Sequence, residues 1–418
     1  MTTLDKTKQP PHVIIDFGSH SIKCGFNEDP FPRFIIPNVV GKIKNKNFSP
    51  LKSYNEYYCG YDALYNSSSL DLTYPRIDNN GKIPTTEEGM KDLESLFSYL
   101  FEEKIKINEY GNDIFIIDSI FTSAKERKAI AQILFEKFNI YHLHFESQSI
   151  MTLFSTSKTS GLVVDSGEMT TEIVPIIEGY IISQGICNFP ISGYELTKRF
   201  ERVYKDIFDI NNVSNHYWMA QKIKDEFSEI LSNSKEFEEI ISKKNENKKE
   251  YILPDGNIVE LGNEIYEIPE SIFNPNIIEM ETNNLPKTIL DSINKCDIST
   301  RKELFSNIIL GGGNTFIKGF DIRLKNEIDE KKKRNCGIIC LKERNYSAWI
   351  GGSGISSLSN FNNKWVTRND YFEYGEKLFE CDYLFNYTGL GDGQRKKINN
   401  GEIGSAEIYK KMVMSEQI

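Results

Sequence analysis

Twice in this chain an apolar strand ends on the same turn. Val13-Ile14-Ile15 runs into Asp16-Phe17-Gly18-Ser19, and Leu162-Val163-Val164 runs into Asp165-Ser166-Gly167. A second strand follows each time, Ile22-Lys23-Cys24-Gly25-Phe26 after the first turn and residues 172–177 after the second, and the first pair reads as a hairpin with a tight polar tip. A repeated supersecondary unit constrains a fold strongly. Here it predicts two similar domains that face each other. A third apolar strand, Ile308-Ile309-Leu310, ends on Gly311-Gly312-Gly313. Between the strands lie helical patterns. Met90, Leu93, Phe97 and Leu100 share one face of 87–101, and Ile130, Leu134 and Phe138 share one face of 125–138. Strands alternating with amphipathic helices predict an α/β fold.

The chain has 418 residues, enough for about two domains with large cores. Its net charge of -10 argues against nonspecific affinity for nucleic acid or acidic membranes. No apolar run approaches the ~18 residues of a membrane span, and residues 1–11 lack an apolar signal core. The expected place is therefore the cytoplasm, with the nucleus as the alternative. The seven cysteines are scattered and read as free thiols. Cys336 and Cys340 come closest to metal spacing but lack the second pair a zinc site needs. Residues 42–58 and 242–250 read as exposed loops, 206–230 as one helix, and Leu253-Pro254-Asp255-Gly256 as a turn between strands. The basic cluster 331–334 reads as a solvated loop, and the polar stretch after Cys381 as a mobile tail. Within that tail, 409–414 reads as a frayed terminus before a docking helix.

The repeated turn suggests a chemistry. A polyphosphate needs inward-pointing backbone N–H groups with no side chain in the way, and Gly and Ser in tight turns supply them. Two such turns would clamp one polyphosphate from opposite domains. An aspartate at each turn cannot touch phosphate but can hold a divalent cation through its waters. Asp16 and Asp165 therefore read as outer-sphere cation ligands, and Lys23 as a point charge within reach of the phosphates. Gly311 to Gly313 would let the backbone pass close to a flat base.

These residues also carry a family resemblance. Val13 to Phe26, Pro32-Arg33-Phe34-Ile35-Ile36-Pro37-Asn38, Ser160 to Gly167 and Leu310-Gly311-Gly312-Gly313 resemble segments of actin. The most specific match is Glu343-Arg344-Asn345-Tyr346-Ser347-Ala348-Trp349-Ile350-Gly351-Gly352-Ser353. The resemblance covers about residues 12–380 and implies the actin fold, with ATP and Mg (or Ca) in an interdomain cleft. It implies a first domain over 1–148 with an outer part at about 42–76, a second over 149–345 with an outer part at about 193–280, a return to the first over 346–381, and a tail over 382–418. It implies that Asp16, Gly18, Ser19 and Lys23 form one phosphate loop and Asp165, Ser166 and Gly167 the other. Gln148 matches the glutamine that positions the attacking water. Lys224 and Asp225 match the pair beside the nucleoside, Gly193 lies near the ribose, and Gly312, Gly313 and Phe316 line the adenine side.

Departures from the family pattern matter as much. His20 and Met169 stand where actin has glycines, Glu168 replaces an aspartate, and Asp225 replaces a glutamate. Phe17 replaces an asparagine, Asn345 a lysine, and Glu172 a histidine near the attacking water, turning a possible proton carrier into an expected anion. Hydrolysis depends on fine positioning, so these changes weigh more on turnover than on binding. The resemblance implies an ATP-binding actin-related subunit of a larger assembly, at most a slow ATPase, with other actin-family or complex subunits as partners. The alternative is a divergent filament-forming actin, supported by the apolar loop of Ile277, Ile278 and Met280. A small-molecule kinase of the same superfamily is the third reading, disfavoured because no spare cleft carboxylate can be nominated as a base.

Overall fold

Buried central strands need apolar residues on both faces, and Val13–Phe17 and Gly161–Ser166 are buried along their whole lengths. The computed structural model describes residues 11–44, 57–106, 113–210, 215–243, 248–253, 256–358, 361 and 365–379. Each of the two strands sits in the middle of its own sheet. Val13–Phe17 pairs antiparallel with Ser21–Phe26 on one side and parallel with Asp113–Asp118 on the other. Gly161–Ser166 pairs antiparallel with Thr171–Ile177 and parallel with Ile308–Gly311. The order continues alike outwards. Phe34–Pro37 extends the first hairpin and Cys187–Phe189 the second, while His142–Ser147 and Ile338–Cys340 add a further parallel strand to each sheet. The repeat seen in the sequence is thus a repeat of sheet topology.

Two helices join the sheets. Gln148–Phe154 and Ser347–Ser356 cross so closely that a Cβ on Gly351 would lie 1.9 Å from the Met151 carbonyl oxygen. Trp349 is fully buried there, and its indole N–H donates to the Ile14 carbonyl at 3.1 Å. The surrounding apolar cluster takes Phe115 and Ile117 from the first sheet and Val163, Val174 and Ile309 from the second. Each sheet also has its own core on its outer face. A shared apolar seam fixes how the two strand ends, and therefore the two aspartates, face each other.

Several local expectations change. The helix Glu87–Ser98, capped by Thr86, continues into wider π-type turns over Tyr99–Ile105, and Ala124–Gln132 does the same over Ile133–Lys137. The single helix expected over 206–230 is replaced by two, Gly193–Ile210 and His216–Phe227. The second starts where the Asn215 side chain accepts from the Trp218 N–H at 3.0 Å, and it ends at Ser228, whose backbone is extended. Lys42 lies on the strand Val40–Ile43 rather than in a loop, and it pairs with Glu88 and Asp92, both at 3.0 Å. That strand joins Tyr57–Cys59 and Leu70–Thr73 in a small outer sheet, while 45–56 lies outside the described residues.

Ser242 closes a helix and Lys249 opens a strand, so the loop expected over 242–250 is shorter, with 244–247 outside the described residues. Strands Lys249–Ile252 and Ile258–Leu261 pair antiparallel on either side of the expected turn, of which 254 and 255 lie outside. Lys331 and Lys332 end the helix Phe320–Lys332 rather than forming a loop, where cations suit the helix dipole. Ile278 is buried against the second core, so the apolar loop is packed on its own domain. Residues 1–10, the tail over 382–418 and its segment 409–414 lie outside the described residues. Among the described residues no helix is long and apolar enough to cross a membrane.

Candidate functional site

The carboxyl ends of the central strands open on one cavity of about 370 Å³, the usual ligand position in sheets of this kind. Of the residues singled out in the sequence, Asp16, Gly18, Ser19, Lys23, Gln148, Asp165, Gly167, Lys224, Asp225, Gly312, Gly313 and Phe316 line it. Ser166 and Gly193 do not. The Ser166 hydroxyl turns inward to Thr171 Oγ1 at 2.8 Å. Gly193 lies behind Glu168, whose Oε2 would stand 2.5 Å from a Cβ on that glycine.

On the first side, Asp16 is buried and Lys23, its cross-strand neighbour, reaches it at 2.9 Å. The loop that follows is held open by Asn38, whose Nδ2 donates to the Gly18 carbonyl and whose backbone N–H donates to the His20 carbonyl, both at 2.9 Å. Among the described residues, the backbone N–H groups of Ser19 and His20 donate to no protein acceptor. The Phe17 side chain leaves the site and stacks on Phe97 in the core, at 5.6 Å between ring centroids. His20 remains exposed at the cavity wall and bridges the cleft, with Nδ1 2.8 Å from Gln221 Nε2.

On the second side, no cation pairs with Asp165 among the described residues. Gln148 Nε2 donates to its Oδ1 at 2.8 Å, and Thr152 Oγ1 lies 3.4 Å from its Oδ2. Burial pushes its carboxyl up to about 6; the negative charge of Asp16 adds to that rise, while Gln148 and Lys23 oppose it. Gly312, at φ 83°, passes so close behind the loop that a Cβ would sit 2.3 Å from the Ser166 carbonyl oxygen. Asn314 Nδ2 donates to the Gly167 carbonyl at 2.8 Å. Met169 does not fold over the loop. It meets the Gly81 turn across the cleft, where a Cβ on Gly81 would lie 3.0 Å from Met169 Cβ.

Glu168 is buried and anchors a cluster. Lys224 and Gln221 reach its Oε2 at 3.4 Å, and the Tyr217 hydroxyl donates to its Oε1. Lys224 is thus engaged by a carboxylate of the wall, while the Asp225 side chain stays 60% exposed. Glu172 is buried, accepts from the hydroxyls of Ser119 and Ser149, and its carboxyl is pushed up to about 7 by burial, the two hydroxyls opposing that rise. At the far end, Phe316 presents 43% of its surface beneath the Arg344 guanidinium, 3.9 Å from the ring centroid. Nothing lies within 4 Å of a Cβ on Gly313, so that backbone is open to the cavity.

Sequence reasoning missed Asn38, Asn314, Tyr217, Gln221 and Arg76. Each is an ordinary polar residue locally and reaches the site through folding. Asn38 and Asn314 had a faint signal, since Asn38 closes a segment already singled out and Asn314 follows another. Cys336 and Cys340 are free thiols. His142 pairs with Asp113 at 2.6 Å, and among the described residues no three His, Cys, Asp or Glu side chains are grouped to hold a metal. A pair of carboxylates with neutral donors suits a hydrated divalent cation, which needs few protein ligands. The bare loop N–H groups and Lys23 suit phosphate oxygens.

The profile of the family described as Actin matches residues 7–383. An "Actin-like protein" of Neurospora crassa is 30% identical over 367 residues, covering 86% of this chain and 95% of that protein.

Proposed function

The chain belongs to the actin family, and from that premise we propose that it binds one ATP with Mg (or Ca) in the cleft and serves as an assembly subunit with weak hydrolysis. One observation carries the reading: two duplicated sheets deliver Asp16 and Asp165 to the same cavity with a single lysine between them. Among the described residues no cation pairs with Asp165, and a divalent cation would supply charge there. Asp16 and Asp165 would hold it through its waters. Gly18 and Ser19 would offer backbone N–H groups to the phosphates and Lys23 would add charge, while Gly167, whose N–H donates to the Thr170 carbonyl at 2.8 Å, would shape the second loop. Lys224 and Asp225 would flank the ribose, with Gly193 behind Glu168 and off the wall, and Gly312, Gly313 and Phe316 would flank the base. The bound cation and nucleotide together supply charge neutralisation and a phosphoanhydride.

Gln148 would orient a water through its amide oxygen, its nitrogen being engaged by Asp165. The expected helper at position 172 is a buried glutamate tied to two serines and absent from the cavity wall. Proton acceptance from water is poorly served, which supports slow turnover. The domain limits proposed are 1–148, 149–345 and 346–381, since the first sheet takes its strands from 13–147 and 366–367 and the second from 161–340. Cytoplasmic or nuclear placement and protein partners are part of the same proposal.

Calorimetric titration with ATP and magnesium tests the binding. Asp165→Ala is expected to weaken magnesium-dependent binding at least tenfold, a loss of about 1.4 kcal/mol or more; unchanged binding removes Asp165 from the site. Pelleting across a concentration series tests the assembly role. A sharp critical concentration with filaments would replace the subunit reading by a filament-forming actin.

A further inference from the structure

Arg76 is a cation of the cleft that no motif pointed to. It is only 5% exposed, and it lines the cavity beside Asp16, Ser119, Gln148 and Asp165. Its Nη1 donates to the carbonyl of Phe17, the residue between Asp16 and Gly18. Its Nε and Nη2 both donate to the Gly81 carbonyl, at 3.0 and 2.8 Å. Both acceptors are neutral, and among the described residues no carboxylate forms an ion pair with it. A guanidinium carries five N–H donors. Three are used here, leaving one on each terminal nitrogen. A buried cation held by carbonyls alone is costly and calls for a counter-anion. Carboxylates act on it from a distance, Asp118, Glu126, Glu172 and Asp16 all favouring its charge against burial.

We infer that Arg76 binds the terminal phosphate of the nucleotide and makes the cleft discriminate a triphosphate from a diphosphate. The inference rests on the ATP reading of the cleft. The position supports it: Arg76 shares the wall with the two aspartates and Gln148, where the last phosphate would sit. The two remaining N–H groups match two phosphate oxygens, the fork geometry in which arginine binds phosphate best. The same guanidinium fixes the Gly81 turn, which touches Met169 of the second loop. The terminal phosphate would thereby connect both loops and the outer part of the first domain through one side chain.

The test is calorimetric titration of the full chain with magnesium-ATP and magnesium-ADP, for wild type, Arg76→Met and Arg76→Lys. Wild type is expected to favour ATP by about tenfold or more. Arg76→Met should bring the ratio near one while ADP affinity stays within about threefold, and Arg76→Lys should fall between because an ammonium lacks the fork. Should Arg76→Met fail to fold, Arg76→Lys and the wild-type ratio carry the test. Wild type that binds ATP and ADP alike, or variants that keep the ratio, overturn the role of Arg76 and leave the ATP reading standing. Equal weakening of both nucleotides makes Arg76 structural and also overturns it. Wild type that binds neither nucleotide removes both.

Discussion

In the first sheet the aspartate at the strand end meets Lys23 at 2.9 Å; in the second, Asp165 meets only neutral donors, Gln148 at 2.8 Å and Thr152 at 3.4 Å. The loops after them are braced alike, each by a distant asparagine on its glycine carbonyl, Asn38 on Gly18 and Asn314 on Gly167. Duplication has therefore kept geometry and let electrostatics diverge. The first side balances its charge internally. The second leaves its aspartate without a paired cation among the described residues, Lys23 acting on it only from a distance, and commits Lys224 to Glu168. A ligand cation has most to compensate on the second side.

The largest break in that comparison should come from the backbone. Gly312→Ala drives a Cβ into the Ser166 carbonyl at a positive φ, with an expected loss of about 4 kcal/mol in chemical denaturation. In the first loop, Gly18→Ala meets Ser21 O at 2.6 Å without that dihedral, and about 2 kcal/mol is expected. Gly313→Ala, in open space, should stay under about 1 kcal/mol. Equal losses at Gly312 and Gly313 would mean that the close crossing does not shape the second loop.

Next, Glu168→Gln should cost about 3 kcal/mol, because it leaves Lys224 buried without its main carboxylate. Thermal unfolding reads this out, and a change under about 0.5 kcal/mol would show that Asp225 alone suffices.

The first sheet has a pH liability of its own. His12 opens that sheet, its Nε2 has no acceptor, and burial lowers it to about 4 from 6.5, with nearby His144 lowering it further and Asp113 opposing. The unfolded chain binds the proton more readily, so stability is intact above pH 6.5 and falls as pH drops towards 4. The full loss is about 3 kcal/mol. Denaturation midpoints of His12→Phe should be flatter than wild type over this window; parallel profiles would clear His12.

The smallest effect sharpens the loop comparison. His20→Gly removes the one side chain that reaches from the first loop to Gln221 and should tighten ATP binding about threefold to tenfold, roughly 1 kcal/mol. Weaker binding would mean that the bridge preorganises the cleft.

Much of this site was legible because its information is local. An apolar run ending on Asp-x-Gly specifies a buried strand and a tight turn within a few residues, and both copies fold as such. Gly311 to Gly313 read as a close approach to a flat base; the close approach in the fold is that of Gly312 to the Ser166 carbonyl. The missed features are nonlocal. The helical pattern over 206–230 carried no sign strong enough to show that Asn215 would cap a new helix. The burial that raises the Glu172 carboxyl against the opposing hydrogen bonds of Ser119 and Ser149 was equally nonlocal, and Arg76 followed Pro75 in a segment with no distinguishing pattern.

The sequence by itself determined two strand–turn devices, their aspartates and glycines, and the α/β class, because hydrophobic periodicity and turn chemistry act over a few residues. Tertiary structure alone decided that Glu168 would claim Lys224, 56 residues on, and that Arg76 would come to rest between Phe17 and Gly81. Charges and burial depend on neighbours from different elements, and those neighbours meet only when the elements of each domain pack, whereas the Asp16–Lys23 pair follows from the register of one hairpin.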